Sequence, residues 1–127
     1  MPLVRISLHA GKPAEYRRAL GAGVHRAMVE ALGVPPQDQF QVVTEHDAAG
    51  LVADPDYLGV PRTDDVVLVQ IFLGAGRRLK QKRDFYARAA ELLAVDPGLN
   101  PRELVINLVE VAWENWSYGD GKAQYAD

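Results

Sequence analysis

Sliding the chain along itself by 65 positions lays PLVRISLHAGK (residues 2–12) over VLVQIFLGAGR (residues 67–77) without a gap. Leu3 meets Leu68, Val4 meets Val69, Ile6 meets Ile71, Leu8 meets Leu73, Ala10 meets Ala75 and Gly11 meets Gly76, with Lys12 over Arg77. The same offset sets Gly33 over Gly98, Pro36 over Pro101, Asp38 over Glu103 and Glu45 over Glu110. Self-similarity at a fixed period constrains a fold more than any local propensity, because each copy must be one supersecondary unit. The 127 residues suffice for one domain with a real core, so the two copies are expected to share it.

Within residues 13–32, Leu20, Val24, Ala27, Met28 and Ala31 recur at helical spacing, while Arg17, Arg18 and Glu30 take other faces. Phe85, Ala89, Leu92 and Leu93 repeat that stripe in 79–95. FQVVTEH (40–46) and LVINLVEV (104–111) read as strands after each helix. Each half is thus a βαβ unit, and the expected class is α/β (α+β): a four-stranded sheet carrying two helices on one face. The boundaries are one domain over 1–127, repeats at about 2–46 and 67–111, a connection at 47–65 and a tail at 112–127.

Two helices cover one face of such a sheet. VVLVQIFL (66–73) is nevertheless apolar at nearly every position, whereas a strand with a solvated face alternates. The second face is therefore expected to pack against another copy, making a homo-oligomer, with closure by the chain ends as the alternative. The connection 47–65 is long and rich in Asp, Pro and Gly, which suits either a functional loop or a plain linker.

A net charge of −3 gives no footprint for nucleic acid or an anionic membrane. No apolar run approaches a membrane span and no signal-peptide pattern opens the chain, so a cytoplasmic protein is expected. The absence of cysteine excludes disulfides and thiolate chemistry. His9, His25 and His46 share no ligand spacing, so no metal is expected. GAGRRL (74–79) has Leu79 where a dinucleotide fingerprint needs its third glycine, and no GxSxG occurs. No cofactor is expected.

What remains is acid–base chemistry. Pro2 stands directly behind Met1, where a strand start tolerates a residue lacking an N–H. A small second residue also favours removal of the initiator, which would leave Pro2 as a free secondary amine. The ordinary α-amino pKa is about 7.7–8.0, and burial lowers it towards the range where general acid–base groups work best. Arg77 follows the third strand and offers a planar fork for a carboxylate, or is simply a solvated residue at a helix start. Asp38 precedes the second strand, where it could orient water or a substrate hydroxyl or serve only in a turn. The tail ENWSYGDGKAQY suits a pocket wall or a plug for the core.

Taken together, Pro2, the two βαβ units, the AGR turn (75–77), GVPPQDQFQVV (33–43) and the ENWSYGDG tail (114–121) make the chain resemble the tautomerase superfamily. That group contains 4-oxalocrotonate tautomerase and malonate semialdehyde decarboxylase, and the GVPPQDQFQVV and WSYG stretches look most like the decarboxylase branch. The resemblance implies a tautomerase/MIF-like fold and a fused-repeat subunit assembling as a homotrimer. It further implies Pro2 as the acid–base group, Asp38 as an aspartate assisting at the reacting carbon, and Arg77 as the holder of a substrate carboxylate. Trp116 and Tyr118 match an aromatic wall around the substrate. The chain departs from the decarboxylase pattern at Ala75, where that pattern has a second arginine. The first expectation is therefore a cofactor-free keto–enol tautomerase of a small 2-oxo acid. A malonate semialdehyde-type decarboxylase or hydratase comes second, and a non-catalytic oligomeric binding module third.

Overall fold

The structure, a computed structural model, describes residues 2–126. Removal of Met1, expected from the small residue behind it, concerns a residue outside that span. Strand β1 (Leu3–His9), helix α1 (Ala14–Leu32) and strand β2 (Gln41–His46) form the first unit. Strand β3 (Val67–Gly74), helix α2 (Leu79–Val95) and strand β4 (Leu104–Val111) form the second. The sheet order is β2-β1-β3-β4. Within each unit the strands run parallel, whereas the central pair β1/β3 is antiparallel, with Leu3 opposite Phe72 and Leu8 opposite Val67.

Strand alternation sorts the side chains. Val4, Ile6 and Leu8 on β1 and Val67, Val69, Ile71 and Leu73 on β3 are buried and point to the helices. They meet Leu20, Val24, Ala27, Met28 and Leu32 of α1 and Phe85, Ala89 and Leu93 of α2 in one core. Ala31 and Leu92 sit half-buried at its margin. Gly23 lets the helices approach closely, because a Cβ there would stand 2.6 Å from Leu93 Cδ2. Helix α1 ends at Gly33, whose φ of 69° is the left-handed cap conformation that an L side chain disfavours. Phe40, expected in β2, precedes it: its carbonyl accepts from Val4 N–H at 3.0 Å and its ring packs on Tyr118.

The other sheet face carries no helix. Leu3, Val42 and Val105 are exposed there beside the half-buried Leu68, Phe72 and Val109, with Arg5, Gln70 and Asn107 among them. Gln70 and Asn107 bond each other across the strands at 3.0 Å. Among the described residues, no helix is long and apolar enough to cross a membrane.

The connection between units is tied to the sheet end where β1 finishes. Glu103, only 3% exposed, accepts from the Thr63 backbone N–H and, at 2.9 Å, from the Thr63 hydroxyl. His9 stands with Nδ1 2.9 Å from the Asp64 carbonyl oxygen and Nε2 2.8 Å from that of Leu51.

Candidate active site

Strand direction decides what the opposite end of the sheet collects. Because β1 is parallel to β2 and antiparallel to β3, the starts of β1 and β2 share an end with the finishes of β3 and β4. Pro2 lies just before β1, Asp38 before β2, Arg77 after β3, and Trp116 and Tyr118 after β4. Residues from four separate stretches of sequence thus stand at one rim.

Pro2 is buried at that rim. The bond from Val4 N–H to Phe40 O fixes the start of β1 against the segment carrying Asp38. Asp38 itself is half-buried and closes a turn by donating its backbone N–H to Pro35 O at 3.0 Å.

Arg77 is half-buried and precedes α2, whose N-cap is Arg78. Its Nε donates to Leu32 O at 2.9 Å and its Nη1 to Gly74 O at 3.0 Å. Leu32 ends α1, where carbonyls lack helical partners, so the second unit's arginine satisfies the first unit's helix terminus. These bonds fix the plane of the guanidinium and leave the Nη2 donors uncommitted to either carbonyl. Burial pulls Arg77 below its ordinary pKa, opposed by the Glu110 carboxylate. Glu110 is held below the usual carboxylate range, chiefly by its hydrogen bond from Lys82 and then by Gly76 N–H.

The tail folds back as a run of touching rings. Phe40 and Tyr118 have centroids 5.2 Å apart, Tyr118 stacks on Trp116 at 5.7 Å and 18°, and Tyr125 bridges Tyr118 and Trp113. Trp113 lies over the end of β3. Its Nε1 donates to Ala75 O at 3.2 Å, and a Cβ on Gly74 would come within 2.6 Å of the indole. Gln124 fastens the turn by accepting from Tyr118 N–H and donating to Gly119 O. Burial pushes the Tyr118 phenol up from its ordinary pKa, with the nearby Asp38 charge and then Tyr125 adding to it. The Trp116 Nε1 and Tyr118 hydroxyl are buried without a hydrogen-bond partner among the described residues. An unsatisfied buried donor costs about 1–3 kcal/mol, so both atoms are costly where they stand.

The structure therefore brings Pro2, Asp38, Arg77, Trp116 and Tyr118 to one end of the sheet. Sequence reasoning missed Phe40 and Trp113, which complete the aromatic run with Tyr125 of the tail, and Glu110, which faces Arg77. The spacing of aromatics in WENWSY was a signal for Trp113; Phe40 and Glu110 gave none, since their parts depend on strand pairing. Among the described residues, no group of three or more His, Asp or Glu side chains is placed to hold a metal ion.

Comparison with known proteins accords with this architecture. A family profile described as tautomerase enzyme matches residues 38–119, and a second with the same description matches residues 2–61. The probable tautomerase YusQ of Bacillus subtilis strain 168 is 32% identical over 124 residues, covering 98% of each chain. A solved malonate semialdehyde decarboxylase, inhibited by 3-bromopropiolate, is 38% identical with a TM-score of 0.92, covering 98% of this chain and 94% of that one. A fused 4-OT, solved as an asymmetric trimer, shares the fold at 21% identity and a TM-score of 0.77, covering 98% of each chain. On the strength of these matches and of its two βαβ units, the chain belongs to the tautomerase superfamily of enzymes, close to the malonate semialdehyde decarboxylase branch.

Proposed function

We propose that the protein is a cofactor-free keto–enol tautomerase of a small 2-oxo acid, with Pro2 as its acid–base group once Met1 is removed. The observation supporting this reading is the gathering of Pro2, Asp38, Arg77 and the Trp116–Tyr118 pair at one sheet end. Arg77, braced by Leu32 O and Gly74 O, binds the substrate carboxylate through its remaining donors. Neutral Pro2 takes the proton from the enol hydroxyl as the C2 carbonyl forms. The resulting prolinium then delivers that proton to C3, where the double-bond electrons become the new C–H bond. Burial of Pro2 favours the neutral amine that starts the cycle. The aromatic tail keeps water from the rim.

A second reading, decarboxylation or hydration of a 3-oxo acid of the malonate semialdehyde kind, is favoured by the 38% identity to that decarboxylase and by Asp38 standing near the rim. There a cationic Pro2 polarises the carbonyl and Asp38 positions water or the leaving carboxylate. Ala75 stands two residues before Arg77, where the decarboxylase pattern has its second arginine, which ranks tautomerisation first. A non-catalytic binding module needs no free Pro2.

The subunit is proposed to work as a homotrimer, its helix-free face with Leu3, Leu68, Phe72 and Val105 covered by neighbouring copies. The fused 4-OT with the same fold is a trimer. Light scattering at micromolar concentration is expected to give three times the subunit mass; a monomer would sink the assembly. The function is tested with processed protein, following an enol 2-oxo acid by ultraviolet absorbance and malonate semialdehyde by NMR. Ketonisation faster than the uncatalysed rate, and dependent on Pro2, is expected. Decarboxylation alone would favour the second reading, and neither reaction the third.

A further inference from the structure

The 65-residue offset that sets the two units in register also relates the two ends of the sheet. At the end opposite Pro2, Val67 takes the place of Pro2, Lys12 that of Arg77, Leu51 that of Trp116, and the connection 47–65 that of the tail 112–127. This end has no amine for proton transfer, and Lys12 is paired with Asp65 at 3.0 Å. It nevertheless keeps a cavity of about 240 Å³ between the connection and the end of β1, lined by Arg62, His9, Asp64, Ala53 and the buried Leu51 and Val66, among others. We propose that this cavity is a second, non-catalytic binding site for a short aliphatic monocarboxylate, held by the Arg62 guanidinium with its carbon chain against Leu51, Ala53 and Val66. The site is independent of the tautomerase reading, since it needs no turnover at Pro2.

Arg62 is the polar group on this wall with donors to spare. A guanidinium carries five N–H donors. One from Nη1 goes to Asp54 O at 2.8 Å, and Nε is buried without a partner among the described residues. Nε is closed off by the protein itself, so a carboxylate meets the remaining Nη donors, which carry charge-assisted bonds well. The other polar side chains are already engaged. His9 has a carbonyl oxygen at each ring nitrogen, and the Thr63 hydroxyl donates to Glu103 and accepts from Asp65 N–H. Charge then narrows the ligand. Asp54 acts electrostatically on Arg62 and Asp64 on His9, so this wall already holds negative charge. A ligand with two negative charges is repelled there, whereas a single carboxylate is balanced by Arg62. A few polar groups on a mainly apolar lining is the usual composition of a small-molecule site, with the apolar part covering the ligand's chain.

The test is a methyl-resolved NMR titration of processed protein with butanoate, 1-butanol and inorganic phosphate, with thermal melts alongside. Millimolar butanoate should shift the Leu51, Ala53 and Val66 methyl resonances of wild type, and 1-butanol and phosphate should bind there at least tenfold more weakly. Arg62→Gln should weaken butanoate at these methyls at least tenfold. Ala53→Leu, which keeps the guanidinium and fills the cavity, should do the same. Butanoate should raise the melting temperature of Arg77→Ala, in which this cavity is intact, and not that of the double variant Arg77→Ala, Arg62→Gln. No shift in wild type, equal binding of 1-butanol, or tighter binding of phosphate overturns the site. So does a shift that disappears in Arg77→Ala, because the methyls would then be reporting a ligand at the Pro2 end. If Arg62→Gln fails to fold, having lost the bond to Asp54 O, Ala53→Leu decides alone: wild-type butanoate affinity in that variant overturns the proposal, as does wild-type affinity in a folded Arg62→Gln.

Discussion

Arg77 of the second repeat unit donates from Nε to the carbonyl oxygen of Leu32, the last residue of the first unit's helix, at 2.9 Å. With the bond from Nη1 to Gly74 O, this makes the candidate carboxylate holder a structural brace as well. Arg77→Ala should therefore lower both affinity and stability. Losing a charge-assisted pair to a desolvated carboxylate typically costs about 2–5 kcal/mol of binding, and two carbonyls left without their donor add a loss of about 1–3 kcal/mol in folding. Arg77→Lys keeps the charge but cannot serve both carbonyls and the substrate, so KM should rise at least tenfold. Steady-state kinetics and thermal melts read the two effects separately, and unchanged kinetics in both variants would leave Arg77 a brace only.

Pro2→Ala replaces a secondary amine by a primary one at nearly the same place. Some activity should survive with a displaced pH profile, whereas protein retaining Met1 should lose nearly all of it, because its Pro2 nitrogen is an amide without basicity. In wild type, activity should rise with pH as Pro2 becomes neutral, with an apparent pKa below the ordinary 7.7–8.0 or so. Pro2 is buried, so Pro2→Ala should cost about 1 kcal/mol of stability, far less than the activity change implies. Equal activity in processed and Met1-retaining protein, verified by intact mass, would reduce Pro2 to a permitted strand start.

His9 has a carbonyl oxygen facing each ring nitrogen, those of Asp64 and Leu51. A neutral imidazole donates through one nitrogen and only the imidazolium through both. These two carbonyls raise the His9 pKa above its ordinary 6.5, with the Asp64 bond the larger cause. A raised histidine pKa means stability that is fully present below about 6.5 and lost as pH climbs through the higher folded value. The melting-temperature difference between wild type and His9→Gln should therefore be largest near pH 5.5 and shrink above neutrality. A difference that does not vary from pH 5.5 to 8.5 would refute this clamp on the connection 47–65.

Glu103 lies beneath that same connection, accepting from the backbone and the hydroxyl of Thr63. Glu103→Ala removes a buried acceptor and strands both donors, which should lower stability by about 2–4 kcal/mol. Glu103→Gln keeps one acceptor oxygen and should lose less. Because this contact stands at the end of the sheet away from Pro2, kcat/KM at 25 °C should stay within about twofold of wild type for both variants. A large kinetic defect in a folded Glu103→Gln protein would show that the two sheet ends are coupled.

The 65-residue offset by itself determined the two βαβ units, because a parallel pair joined through an amphipathic helix is the way such a strand-helix-strand pattern buries its apolar stripe. The repeat paired Val4, Ile6 and Leu8 with Val69, Ile71 and Leu73, and helical spacing marked Leu20, Val24, Phe85 and Ala89 as a buried stripe; which face of β3 meets the helices was not legible, because VVLVQIFL is apolar at nearly every position. The candidate site was legible as residue types at the chain start, before β2, after β3 and in the tail. How they meet was not. That Pro2, Asp38, Arg77 and Tyr118 share a rim follows from the antiparallel pairing of β1 with β3, a long-range choice that neither unit encodes on its own. The brace from Arg77 to Leu32 and the burial of the Trp116 and Tyr118 donors without a partner among the described residues are likewise tertiary facts. Whether an N–H or O–H is satisfied depends on which distant carbonyl or ring is folded against it, and local sequence carries no record of that neighbour.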